Sequence, residues 1–171
     1  MVMKYPALFV REDLNSLEVL QAKNMTIAAT GISYRTINNW EQHGLIDNSR
    51  DDNKRWRKFS LIDCVWIKII SDLRCFGFPI EKIKNIKESL YSRELGGKMQ
   101  LEKIVLSFTT TEYLLLLIFM DGKISTLPSE SKKKISRFDS HLCLNLINYF
   151  DYFIENEFRE TYHKELKDYY F

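Results

Sequence analysis

Between Leu17 and Leu90 the apolar residues recur at intervals of three and four, and from Lys103 onward they bunch into short runs and alternations. The first pattern predicts helices and the second predicts strands. Four helices can be drawn in the first half. One ends before Gly31 and includes Leu17, Leu20 and Ile27. The next begins after Ser33, whose hydroxyl is suited to accept from a free first-turn amide. Ile32 and Ile37 stand at the two positions of a hydrophobic staple. Gly44 supplies the left-handed residue that closes a helix, with Leu45 folding back against Trp40. Leu45 to Phe59 is too polar and turn-rich for a helix. There Asp51-Asp52-Asn53 reads as a turn between Ile46–Arg50 and Lys54–Phe59, a short two-stranded wing. Ser60 caps a third helix with Ile62, Val65, Ile69, Leu73 and Phe76 on one stripe, and Gly77 stops it. Pro79 opens a fourth, carrying Ile80, Ile83, Ile86 and Leu90. These elements predict a winged helix-turn-helix over roughly residues 16 to 91.

Composition shifts near Ser92 to Gly97, where Gly96 and Gly97 mark a turn or linker. The boundary divides the chain into residues 1–92 and 93–171. In the second part Lys103 to Thr110 and Glu112 to Met120 read as strands. Asp121-Gly122 reads as a two-residue hairpin turn leading into Lys123 to Leu127. His141 to Leu146 alternates at Leu142, Leu144 and Leu146 and predicts a fourth strand. From Asn148 the spacing of Phe150, Ile154, Phe158, Tyr162 and Leu166 predicts a long helix. The fold class is α+β: a mostly helical first part, then a small α+β domain with an antiparallel sheet and a long C-terminal helix.

A chain of 171 residues, 45% hydrophobic and 28% charged, is able to bury a sizeable core. Its longest apolar run, Tyr113 to Met120, is far short of the about 20 residues a membrane span needs, so a buried strand is expected there. Met1 to Val10 lacks the apolar stretch of a signal peptide. Three cysteines without CxxC spacing suit a reduced, cytoplasmic setting. Net charge is only +2. Residues 1–90 hold 14 Lys and Arg against 11 Asp and Glu, so the first half is the more basic, but weakly. His141-x-Cys143 has no further ligand at workable spacing, so no metal and no cofactor is expected. No phosphate-binding Gly-rich loop, nucleophile elbow or paired-carboxylate signature is present. The expectation is a binding protein, not an enzyme.

Local pattern carries more than charge does. A helix, a tight turn at Gly31 and a second capped helix make a helix-turn-helix, whose second helix offers an exposed face to the major groove. That face includes Tyr34, Arg35, Asn38, Asn39 and Gln42. Arg can pair with guanine or phosphate, and Asn or Gln bidentately with adenine. Arg50, Lys54, Arg55, Arg57 and Lys58 make the wing basic, as suits a hairpin that neutralises phosphates. An ordinary solvated surface shows similar residues, so the face alone does not decide.

Four ordered blocks do. Thr30-Gly31-Ile32-Ser33-Tyr34-Arg35-Thr36-Ile37 and Trp40-Glu41-Gln42-His43-Gly44-Leu45-Ile46 resemble the start and recognition helix of the MerR family's DNA-binding domain. Trp56-Arg57-Lys58-Phe59-Ser60, with Asp63 after it, resembles the family's wing. Leu73-Arg74-Cys75-Phe76-Gly77-Phe78-Pro79-Ile80-Glu81-Lys82-Ile83 resembles the turn into its fourth helix. The resemblance implies a transcriptional regulator that binds double-stranded DNA as a homodimer and distorts a palindromic site. The DNA-contacting set would be Tyr34, Arg35, Thr36, Asn38, Asn39, Trp40, Gln42, Lys54, Arg55, Arg57 and Lys58. Arg57 would grip the phosphate backbone, and Trp40 would contact it too. Asn38 stands where the family usually has Arg, Asn39 where it has an aromatic, and Phe59 where it has Tyr. After Leu90 the family's long coiled-coil helix is interrupted by Gly96-Gly97. Two further readings therefore stand beside the first: an architectural, excisionase-like DNA-bending protein of a mobile element, and a protein-interaction module that has lost DNA binding. Residues 93–171 would sense a small-molecule or protein effector, or make the dimer.

Overall fold

The computed structural model describes residues 20–47, 57–93, 97–107, 114–128, 140–149 and 151–153. In chain order these form α1 (Ile27–Thr30), α2 (Tyr34–Gln42), α3 (Leu61–Cys75), α4 (Ile80–Tyr91), α5 (Gln100–Ser107), β1 (Leu114–Phe119), β2 (Ile124–Pro128) and β3 (His141–Leu144). The arrangement is α+β: a helical first part and a small antiparallel sheet. No helix among the described residues is long and apolar enough to cross a membrane.

Helix α3 organises the rest. Ser60 and Asp63 close a reciprocal capping box at its start: Ser60 Oγ accepts from the Asp63 amide at 3.1 Å, and Asp63 Oδ2 accepts from the Ser60 amide at 2.9 Å. Ile62, Val65, Ile69 and Leu73 are buried as the spacing predicts, but so are Leu61, Cys64, Trp66, Ile67 and Ile70. A helix apolar on most sides has to be covered on most sides. Phe76 departs from the expected stripe and is 61% exposed, because the helix ends at Cys75 and the chain turns away.

Helices α2 and α3 end in the same way. Gly44 (φ +74°) donates to Glu41 O at 2.8 Å and Leu45 to Trp40 O at 2.8 Å. Gly77 (φ +82°) donates to Arg74 O at 3.1 Å and Phe78 to Leu73 O at 2.9 Å. Both are Schellman closures, in which a left-handed glycine turns the next apolar residue back onto the helix. Leu45 and Phe78 are accordingly buried. The Trp66 indole N–H donates to Leu45 O at 2.7 Å, tying the end of α2 to the middle of α3.

The single helix expected to include Leu17, Leu20 and Ile27 and to end before Gly31 is interrupted. Leu20 and Gln21 are helical, but Ala22 to Asn24 are not, and Met25 exchanges backbone bonds of 3.0 and 2.8 Å with Phe59. Pairing with the base of the wing overrides local helix propensity there, so α1 has only four residues. The wing tip, with Arg50 to Trp56, lies outside the described residues.

The strand expected over Lys103 to Thr110 is not formed at Lys103 to Ser107, and Phe108 to Thr110 lie outside the described residues. Gln100 to Ser107 is helix α5, with Leu101, Ile104 and Val105 fully buried. Their i, i+3, i+4 spacing buries one helical face, which β-branched residues at Ile104 and Val105 had masked. β1 is central in the order β2-β1-β3, antiparallel to both neighbours. Leu115 to Ile118 are all buried, as befits a strand covered on both faces. The hairpin loop is longer than expected by one residue. Gly122 (φ +88°) donates to Phe119 O at 2.9 Å, and Phe119 donates to Lys123 O at 2.9 Å. Met120, Asp121 and Gly122 thus make a three-residue loop ending on a left-handed glycine. β3 stops at Leu144, not Leu146.

Helical backbone resumes at Ile147–Tyr149 and Asp151–Phe153. The long helix expected from Phe150, Ile154, Phe158, Tyr162 and Leu166 is not supported, because those positions lie outside the described residues. Phe153 is fully buried, and the Tyr149 hydroxyl donates to Asp72 of α3. Most of the buried residues from Leu20 to Phe153 make one continuous cluster, which leaves out Leu115, Leu117 and Leu127 of the sheet, and α5 packs against α3, α4 and β1.

Two predictions follow from these contacts. A Cβ at Gly44 would meet nothing within 4 Å. Gly44→Ala therefore carries only the backbone penalty of a left-handed residue, about 1–2 kcal/mol, read as a lower urea midpoint. Burial, then the bond to Asp72, holds the Tyr149 phenol above its ordinary range. A raised folded-state pKa adds stability that is complete below about pH 10 and is lost as pH rises past it. Tyr149→Phe should flatten the alkaline fall in stability between about pH 10 and 11 in denaturation curves.

Candidate nucleic-acid interface

Ser33 sets the start of α2. Its Oγ accepts from the Thr36 amide at 3.1 Å and lies 2.8 Å from Thr36 Oγ1. Ile32 is partly buried against the core cluster that includes fully buried Ile37, the two positions of the expected staple. From that start, a rotation of about 100° per residue sorts the helix into three stripes. Ile37 and Trp40 face the core. Arg35, Asn39 and Gln42, at i, i+4 and i+7, are exposed together on another side. Tyr34, Asn38 and Glu41 form a third stripe between them.

Arg57 lies along this third stripe. Its guanidinium Cζ is 5.7 Å from the centre of the Tyr34 ring, and its Nη2 donates to Glu41 Oε2. The pair is secluded: the Arg57 side chain is 4% exposed and that of Glu41 14%. Arg57 Nε and Nη1 are buried without partners, and so is Asn38 Oδ1. Two charged N–H groups kept out of water and unbonded are costly. A planar guanidinium suits phosphate oxygens, which could bond these two nitrogens only once the groups covering them moved aside.

Lys87 fixes the approach to the wing from the other side. Its ammonium donates to Asp47 Oδ1 at 2.6 Å and to Gly44 O at 3.1 Å, and lies 5.7 Å from the Tyr91 ring centre. The end of α2 and the start of the wing are thereby held to α4. Trp66 packs edge-on against Tyr91 at 6.0 Å below this contact. Burial pushes the Tyr91 hydroxyl well above its ordinary range, with Asp63, Asp47 and Glu102 adding to it, so the ring stays neutral.

The structure separates the eleven residues named from the sequence. Arg35, Asn39 and Gln42 share one exposed stripe, and Lys58 is exposed at the wing base. Tyr34, 57% exposed, stacks on Arg57. Asn38 is half-buried on Arg57's side, and Thr36 is occupied with the cap. Trp40 is 5% exposed and is a core residue. Lys54 and Arg55 lie outside the described residues. Sequence reasoning missed Glu41 and Lys87. Glu41 stood inside the block that carried the family resemblance, so its position opposite the wing arginine was available as a signal. Lys87, 43 residues from Gly44, gave none.

Residues 24–90 match the family described as MerR HTH family regulatory protein, a match that spans less than half of the chain. No curated protein and no solved structure matches. The segment is similar to the helix-turn-helix of MerR-type regulators, which supports a DNA-binding transcription regulator in general.

Removing one member of a buried ion pair leaves the other without its counter-charge. Glu41→Ala should therefore destabilise the protein by about 3 kcal/mol in urea denaturation. The double variant Glu41→Gln/Arg57→Gln should lose distinctly less than the sum of the two singles.

Proposed function

We propose that this protein is a sequence-specific transcriptional regulator of the MerR-like type that binds double-stranded DNA with α2 in the major groove. The observation that carries the reading is the three-way division of α2. An exposed stripe of Arg35, Asn39 and Gln42 lies beside a buried arginine with two unbonded N–H groups. Arg35, Asn39 and Gln42 offer the side chains that discriminate guanine and adenine edges. Arg57, with Tyr34 against its face, takes a backbone phosphate and sets the register. Lys58 and the wing residues Lys54 and Arg55 add phosphate contacts. Thr36 and Trp40 hold the helix in place instead of touching bases. Residues 1–92 are the DNA reader, and residues 93–171 an effector-sensing or dimerising part. A cytoplasmic homodimer on a palindromic site is the assembly this reading expects.

A second reading is an architectural DNA-bending protein. One observation favours it. Helix α4 ends at Tyr91, and the chain turns back through an Arg93–Met99 bridge into α5, which packs against α4. The helix that would continue into an antiparallel coiled coil is not continued.

Selection of bound duplexes from a random pool tests both. A two-fold symmetric consensus is expected. A bent, asymmetric site with no effect on transcription supports the second reading, and no duplex retained at low salt contradicts both. Arg35→Ala should relax the consensus at one position per half-site, at about 1–3 kcal/mol of lost discrimination. In a Glu41→Gln background, which leaves no uncompensated carboxylate, Arg57→Gln should weaken all duplexes alike. It should also reduce the log K against log salt slope by about 1.

A further inference from the structure

A cleft of about 340 Å³ lies between the α3–α4 turn and the sheet, with no residue of α2 in its lining. This volume lies at the small end of ligand-binding pockets. Its apolar walls are Phe76, Phe78, Pro79, Met120 and Leu142, its polar side chains are Lys82, Ser140 and His141, and Lys82 is the one formally charged residue among them. Phe76 and Met120 are 61% and 59% exposed, large apolar surfaces facing each other's side of a concave site. Isolated exposed apolar residues need no explanation, but two that line the same cleft do.

The charge chemistry of the cleft is one-signed. Lys82 Nζ donates to Met120 O at 2.6 Å, which uses one of the three donors of an ammonium group. Pro79 and Lys82 both line the cleft and belong to the first turn of α4, a helix of 12 residues whose N-cap Pro79 has no side-chain capping bond. Free amides at a helix start favour an anion. Glu81, the acidic residue of that turn, is exposed and paired with Lys84 at 3.1 Å. The hairpin loop is pressed against the same helix, since a Cβ at Gly122 would lie 3.7 Å from Lys82 O and 3.8 Å from Asn85 Cβ. The floor of the cleft is thus held by packing as well as by the Lys82 bond.

We propose that this cleft binds a small apolar carboxylate, its aromatic or aliphatic body against Phe76, Phe78 and Leu142 and its carboxylate on Lys82 at the start of α4. The site lies outside the DNA-reading face, and its occupancy is measured without DNA. Failure of either reading therefore leaves the other untouched.

The test is calorimetric titration of the full chain with 4-phenylbutyrate, and with 4-phenylbutanol and 4-phenylbutylamine as neutral and cationic counterparts. The acid should bind, with the alcohol at least about fivefold weaker and the amine weaker still. Lys82→Gln, which keeps a hydrogen-bond donor, should abolish the preference for acid over alcohol. Phe76→Ser, at an exposed position, should weaken acid and alcohol together, with the thermal unfolding of both variants close to that of the parent chain. No heat with the acid at millimolar concentration overturns the proposal. So does equal binding of acid and amine, or an affinity for the acid that neither substitution changes.

Discussion

Helix α3 has almost no side to offer water. Nine of its fifteen residues are buried, so it cannot lie on a surface as an amphipathic helix does. It has to be wrapped, and each neighbouring element takes part of the wrapping. The end of α2 is tied to it by the Trp66–Leu45 bond, α4 leaves it through the Gly77 turn, α5 packs across it, and the C-terminal helical turn reaches it through Tyr149 and Asp72. Apolar burial at roughly 25 cal/mol per Å² makes such an all-round core the main source of stability. It also links the two parts of the chain through one continuous cluster.

Helix α2, the proposed DNA reader, gains its character from this constraint. With Ile37 and Trp40 committed to the core and Leu45 folded under, α2 has only two free stripes. One remains in water as Arg35, Asn39 and Gln42. The other is covered by Arg57, which is bound to Glu41 and stacked on Tyr34. A guanidinium held this way is already ordered, which would lower the entropic cost of the phosphate contact proposed for it. The Lys87 contacts with Gly44 and Asp47 extend the same order to the start of the wing. Pre-set geometry on both sides of α2 is what the proposed entry into a groove in one register would need.

Sequence pattern revealed the elements that local chemistry specifies. Ser33, Ser60, Gly44 and Gly77 each mark a boundary through bonds made within a few residues, and all four boundaries stand where the pattern placed them. Where distant contacts decide, pattern misled. The Met25–Phe59 pairing breaks a helix that the apolar spacing alone would continue. Ile104 and Val105 look strand-like, yet are buried on a helical face against α3 and α4. The same division holds at the site. Arg35, Asn39 and Gln42 could be read from spacing. That Trp40 is core, and that Arg57 is paired with Glu41 sixteen positions away, depends on contacts distant in sequence.

The central claim is that α2 and the wing base are the surface that meets DNA. Amide chemical shifts followed through a titration with a selected duplex test it most directly, because they report position and not affinity alone. The account predicts that the largest changes fall on Tyr34 to Gln42 and Arg57 to Phe59, with Arg57 Nε shifting strongly as its free N–H groups find a phosphate. Leu114 to Phe119 and His141 to Leu144 should stay nearly unchanged. Changes centred on the sheet, with α2 unaffected at saturating duplex, would contradict it.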